Sequence, residues 1–343
     1  MIQKVFSFSL FLGSLSAQVV PGTFLARAEE DTTLLGLQSN VVVEIRAQGD
    51  SLIWLGTGKG LSVQKDSLIS KNSTRTFQTS NNIKASVDNA GEKGQVLPEG
   101  GISAIGVADK NTLLVSVATT IDEEIAGGGL ALTYNSSAID SIDRDVSWYY
   151  FDQPKDGEGD STISWGERSL SALPVTVPQN NVTYDIAVGN RYYWIASWAG
   201  GLRRLNKSDI TEGWRRVPLP DDNRTDFLCG QQYADYQLNP RDPPQGSHNH
   251  KVFSVITYGD TVWVGTANGL NRGIMDASDC VDWKHYSFPT SSISGNWVIA
   301  IEKQEWEGRR TIWAVTRAAD QAGEQNGISY TKNDGETWQT VSL

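Results

Sequence analysis

One segment recurs five times along the chain, and this repetition constrains the fold more tightly than any single residue does. IWLGTGKGL (53–61), YWIASWAGGL (193–202) and VWVGTANGL (262–270) share a frame: an apolar residue, a Trp, a few small or apolar residues, then Gly-Leu after a short gap. LLVSVATTIDEEIAGGGL (113–130) keeps that frame with Leu114 in the Trp position, and IWAVTRAADQAGEQNGI (312–328) keeps it with Trp313. The anchors fall at 54, 114, 194, 263 and 313, with spacings of 60, 80, 69 and 50. Each copy has a β-branched run upstream: NVVVEIRA (40–47), GISAIGVA (101–108), NVTYDIAV (181–188), KVFSVITY (251–258) and NWVIAIEK (296–303). Downstream, a second Trp opens a short run in WYYFDQP (148–154), WRRVPLP (214–220), WKHYSFP (283–289) and WQTVSL (338–343), while TFQT (76–79) takes that place in the first copy. Four strands per unit, with little helical periodicity, predict an all-β chain of tandem four-stranded sheets.

A lone four-stranded sheet leaves both faces wet, so tandem sheets bury their Val, Ile and Trp by packing face to face around an axis. The small residues after the Trp suit the close approach of neighbouring sheets, and the Gly before Leu suits a turn at positive φ. The expected domain is 29–343, with blades near 38–79, 101–154, 181–220, 251–289 and 296–343. The units are longer than the ~40–50 residues a blade needs. Either the loops are long or degenerate blades lie in 62–100 and 152–180, which leaves six or seven blades, or an incomplete ring, open beside five.

VWVGTANGLNR (262–272) resembles the two-component-regulator type of β-propeller repeat of bacterial sensor and exported proteins. TKNDGETW (331–338) resembles the Asp-box of sialidase-like propellers, with Thr331 in the Ser position, Asn333 in the Asp position, then Gly335, Thr337 and Trp338. The resemblance covers residues 38–343 and implies a β-propeller of four-stranded antiparallel blades, with a structural role for the Asp-box. It implies no one activity, because both repeat types occur in enzymes, receptors and assembly factors.

With 29 basic against 40 acidic side chains and a net charge of −11, the chain has no generic basic clamp for nucleic acid. A hydrophobic fraction of 39% with 12 Trp excludes a disordered polymer. Residues 1–28 read as a secretory signal: Lys4 supplies the charge, VFSFSLFLGSLSA the apolar stretch, and Ala26-Arg27-Ala28 the cleavage site. No other stretch approaches the ~18 apolar residues of a membrane span. The expected location is secreted, periplasmic or at the cell surface, with no membrane insertion once the signal is removed. Cys229 and Cys280 are the two cysteines, which excludes a disulfide-dense scaffold and a Cys-rich zinc site. Whether they bond is open, because their parent loops map to opposite faces and 221–250 would have to wrap the outer edge.

The long segments 62–100, 118–127, 152–180, 221–250 and 316–326 map to one face of the ring, as blade connections or second-to-third loops, and long loops carry function. The residue after each strand opening, namely Val41, Ile102, Val182, His250 and Trp297, is expected to surround the channel mouth there. Lys59, Trp198 and Asn268 join it from second-to-third turns. The expected binding set is therefore Lys59, Trp198, His250, Asn268 and Trp297, because aromatic platforms beside amides suit sugar rings or peptide segments. Glu44 and Asp185 occupy equivalent inner-strand positions, where the other copies have Ala104, Ser254 and Ala300. They read as channel-facing structural carboxylates or, alternatively, as a glycosidase acid and base. Ser247-His248-Asn249-His250 has imidazoles two apart but no third ligand nearby, so neither metal nor cofactor is expected. Five sequons occur, at Asn72, Asn135, Asn181, Asn206 and Asn223, and a glycan on Asn181 would clash with an inner strand.

The reading that follows is an exported, non-enzymatic β-propeller that binds a carbohydrate or protein on its long-loop face. One alternative is a propeller glycoside hydrolase, although the Arg triad and Phe/Tyr-Arg-Ile-Pro motif of sialidases are absent and the Arg pairs at 203–204, 215–216 and 309–310 lie in strands or turns. Another is a part of a larger surface sensor or adhesin.

Overall fold

The computed structural model describes residues 39, 41–50, 52–65, 74–80, 92–93, 96–98, 100–137, 147–319 and 321–341. The signal reading of residues 1–28 and the sequon at Asn72 lie outside the described residues.

The chain is a β-propeller of antiparallel four-stranded blades, each a meander from the axis outward. Blade 1 comprises Val42–Gln48, Leu52–Thr57, Gly60–Lys65 and Thr74–Ser80. Blade 2 comprises Gly101–Val107, Leu113–Ile121, Glu124–Thr133 and Ser147–Phe151. Blade 3 comprises Thr183–Val188, Tyr192–Ser197, Gly201–Asn206 and Arg215–Val217. Blade 4 comprises Val252–Tyr258, Thr261–Thr266, Gly269–Met275 and Val281–Tyr286. Blade 5 comprises Trp297–Trp306, Arg309–Arg317, Gly327–Thr331 and Gln339–Val341. Segment 118–127, expected as a loop, instead continues the second and third strands of blade 2, which pair out to Ile121↔Glu124 around a turn at Asp122 and Glu123.

The residue in the Trp position faces the following blade. Trp54 packs with Ile105 and Leu113, Leu114 with Ile186 and Tyr193, Trp194 with Val255 and Val262, and Trp263 with Ile301 and Ile312. Burying a Trp or an Ile in this way contributes about 1.5–3 kcal/mol each, so these interfaces hold the ring. Small residues two positions after the Trp allow the approach: a Cβ added to Gly265 would meet the Val298 carbonyl at 2.6 Å. Gly269 answers the turn expectation, with φ of 94° and a neighbouring Tyr286 carbonyl that leaves no room for a side chain.

The strand-opening Asn residues act as latches. Asn181 and Asn249 donate their side-chain amides to the carbonyls of Pro154 and Pro220, both at 2.8 Å, and Asn296 exchanges two bonds with the backbone of Phe288. Each ties a new inner strand to the chain leaving the preceding blade.

Among the described residues, the facing surfaces of blades 5 and 1 carry exposed apolar side chains. Ile45 is 60% exposed and Ile53 39%, whereas their equivalents in the other blades, such as Ile105, Val255, Leu113 and Val262, are buried. Val315, which follows Trp313 by two residues, is 37% exposed, and Trp313 rests on Tyr330 of its own blade. Across this seam Arg46 reaches Glu302 at 3.5 Å.

Segment 152–180 forms no blade. It folds as a hairpin, Thr162–Trp165 with Arg168–Ala172, joined in parallel by Gln237–Leu238 from 221–250. Trp165, Phe227, Tyr236 and Leu238 seat these two insertions against blades 3 and 4. Asp226–Phe227 adds a strand to the outer edge of blade 4. This wrap brings the Cys229 and Cys280 Cα atoms to 6.0 Å, and the two residues form a disulfide. The two insertions therefore cover outer edges instead of crowning the axis, which corrects the expectation drawn from their length.

The turn at 331–338 is a closed hydrogen-bond system. The Thr331 hydroxyl accepts the Gly335 N–H at 2.9 Å, the Asn333 side-chain oxygen accepts the Thr337 N–H at 3.0 Å, and Trp338 packs edge-on against Trp263 and Tyr286.

Candidate functional site

Every inner strand carries a register shift at the same point: 42/44, 102/104, 183/185, 252/254 and 298/300. A bulge leaves one residue without a partner and re-aims it. The five unpartnered residues, Val43, Ser103, Tyr184, Phe253 and Ile299, all line one open axial cavity of about 310 Å³.

Beside the bulges stand the two carboxylates. One Glu44 oxygen accepts the Ile105 N–H of the next blade at 2.6 Å, and the other meets Arg46 Nη2 at 2.8 Å. Asp185 repeats this two blades on: one oxygen accepts the Val255 N–H at 2.9 Å, the other accepts the Ile186 N–H at 2.8 Å and lies 3.6 Å from Arg46. Both carboxylates thus bridge neighbouring inner strands, which Ala104 and Ala300 cannot do. Burial pushes Glu44 up to about 8, against the pull of Arg46 and with the help of Asp185. Burial also raises Asp185 to about 6, against the Val255 N–H and Arg46. Glu302 completes the group through Arg46.

Two aromatic rings, Tyr184 and Phe253, line the cavity, and Trp198 and Trp297 pack against Phe253 beside it. Trp198, in the second-to-third turn of blade 3, lies 5.7 Å from Trp297 and 5.2 Å from Phe253, and Tyr184 lies 6.1 Å from Phe253, centroid to centroid. Lys251 Nζ sits 4.5 Å from the Trp198 ring centre and pairs with Asp242.

Of the expected binding set, Trp198 and Trp297 come together. His250 does not join them. It is buried, its Nδ1 accepts the Asn239 N–H at 2.9 Å and its Nε2 lies 3.1 Å from the Leu219 carbonyl, and burial pushes the imidazole down to about 4. That correction follows from the 221–250 wrap, which needs its backbone groups satisfied. Asn268 is half-buried, with its amide 3.4 Å from the Asp222 carbonyl, and Lys59 stands exposed in the blade 1 turn. Ile102 and Val182 are buried packing residues, not mouth residues. The 247–250 segment is an anchor: the Ser247 hydroxyl and the N–H groups of His248 and Asn249 all donate to Asp222. Tyr184 and Phe253 are the contributors that sequence reasoning missed, since strict strand alternation gives no sign of a bulge.

No family model matches the chain, and no curated protein matches it in sequence. Among solved structures it is similar to an ancestral GH74 enzyme, at 10% identity and TM-score 0.47, over 88% of this chain and 34% of that one. It is also similar to the extracellular domain of a hybrid two-component system from B. thetaiotaomicron, at 16% identity and TM-score 0.41, over 91% of this chain and 34% of that one. A third is PorZ, a surface component of the type-IX secretion system of Porphyromonas gingivalis, at 14% identity and TM-score 0.40, over 88% and 33%. The chain thus spans about a third of the length of each of these proteins. No helix among the described residues is long and apolar enough to cross a membrane.

Proposed function

We propose that this is an exported β-propeller that binds a carbohydrate, without chemistry, at the aromatic end of its axis. The observation that supports it is the cluster of Trp198, Phe253, Trp297 and Tyr184, of which Phe253 and Tyr184 line a cavity that also holds three carboxylates and an arginine. Sugar rings stack on aromatic faces while their hydroxyls bond to fixed charged groups. The test is a titration of purified protein against panels of neutral glycans and of peptides. Trp198→Ala and Trp297→Ala are expected to weaken the glycan hit by about tenfold or more, as removal of a buried aromatic anchor does, with the thermal midpoint held. Binding that survives both substitutions, or a hit among peptides alone, overturns the carbohydrate reading.

The elevated Glu44 carboxyl favours one rival, because a proton held near neutral pH beside a cavity is what a general acid requires. Against it stand the backbone N–H groups that both carboxylates already accept. A hydrolysis screen decides between them: turnover by the wild type that disappears in Glu44→Gln establishes a glycosidase.

A further inference from the structure

A second cavity, of about 360 Å³, opens at the outer part of blade 3 beside the hairpin of 152–180. The register Arg203↔Arg216 places two guanidinium groups on neighbouring strands, and both line this cavity together with Asp156 and Trp214. Both arginines are almost fully buried, with side chains 3% and 4% exposed. A single carboxylate serves them: Asp156 takes Arg203 Nη2 at 2.7 Å on one oxygen and Arg216 Nη1 at 3.0 Å on the other. The second oxygen also accepts the Val175 N–H at 2.7 Å, and Arg216 Nη1 donates as well to the Leu173 carbonyl at 2.7 Å. Three donors are left over. Nε of Arg203, Nε of Arg216 and the indole N–H of Trp214 are buried without an acceptor.

Buried donors are nearly always paired, and a buried cation in excess of its partners is costly. Among the other charges of the lining, Asp160 is negative and offsets Arg203 in part, while the rest are positive. Asp160 accepts the Gly157 N–H, Arg215 pairs with Glu212, and Arg204 is engaged by the Asp279 carbonyl and the Tyr192 ring. Lys155 adds a further positive charge at the rim. Desolvation drives Arg216 down to about 10, with Arg203 adding to the effect, and drives Arg203 down as well. In a protein of net charge −11, this pocket of excess positive charge has the opposite sign to its surroundings.

We propose that this cavity is an oxyanion site which takes a small carboxylated ligand of the size of an acidic sugar, through Arg203, Arg216 and Trp214. One bound carboxylate lowers the net positive charge of the lining and offers acceptors to the unpaired Nε–H groups, in the forked geometry arginine suits. Trp214 supplies an apolar wall and one neutral donor. A volume of this size exceeds what a bare ion fills. The site shares no residue with the axial cavity.

Calorimetry of the full chain with sodium glucuronate, glucose and sodium sulfate, at matched ionic strength, tests the proposal. Glucuronate is expected to bind saturably, sulfate to compete with it, and glucose to give no heat. Arg216→Lys keeps the charge but loses the fork, and Trp214→Phe keeps the wall but loses the donor; each is expected to weaken glucuronate about fivefold or more. The exposed variant Lys155→Ala, which leaves the core untouched, is expected to weaken it about twofold. Trp198→Ala leaves this binding unchanged, which separates it from the axial reading. Absence of saturable binding by both anions, or equal affinity in the wild type, Trp214→Phe and Lys155→Ala, overturns the site. Sulfate binding without glucuronate binding overturns the carboxylated occupant.

Discussion

Four consecutive blade interfaces and the seam between blades 5 and 1 are built from the same positions of the repeat, yet they differ in what covers them. Trp54, Leu114, Trp194 and Trp263 are buried under the next blade, while Trp313 in the same position leans on its own sheet. The position of Ile45 tells the same story from the other side, since Ile105, Ile186, Val255 and Ile301 are buried there. Burial at these sites is thus a property of having a neighbour, not of the residue. A repeat protein gains its stability from nearest-neighbour contacts, and a unit without a neighbour on one side forgoes that share.

The sharpest way to break this comparison is a matched pair of truncations. Trp263→Ala is expected to cost about 3–5 kcal/mol, and Trp313→Ala, where the ring is already partly wet, about 1 kcal/mol or less. Chemical denaturation of both variants checks it, and equal costs would mean that the seam is closed in solution. Next in size, Ile105→Ala is expected to lose about 2–4 kcal/mol against less than about 0.5 kcal/mol for Ile45→Ala. A loss of about 2–4 kcal/mol is expected from Cys229→Ser with Cys280→Ser, because the disulfide closes a long loop; thermal melts measure it.

The smallest effect concerns pH at the seam-side strand. Folded Glu44 holds its proton to about 8 and unfolded Glu44 only to 4.5, so the folded chain binds more protons in that interval. Its contribution is present in full below pH 4.5 and is lost as pH rises toward 8. Glu44→Gln, which can still accept the Ile105 N–H, is expected to flatten that decline. A wild-type decline that persists in the variant would place the titration elsewhere.

The Trp-centred repeat made the four-stranded units legible, because its spacing follows from sheets that must cover one another. The proximity of Trp198 and Trp297 was legible for the same reason: both lie at strand ends on one face. Tyr184 and Phe253 were not, since a bulge shifts the two-residue period by one without changing composition. His250 was misplaced because a linear alignment cannot show that the preceding wrap folds over it. The Arg203–Arg216 pairing was present as two short motifs whose meaning depended on register and on Asp156, which lies 47 residues before Arg203.

The Cys229–Cys280 bridge has a further consequence for the way the molecule is dismantled. A protease that clips the exposed 241–245 stretch cuts between the two bonded cysteines. The nicked product then migrates as one species on a denaturing gel until a reductant is added, when it separates into two bands.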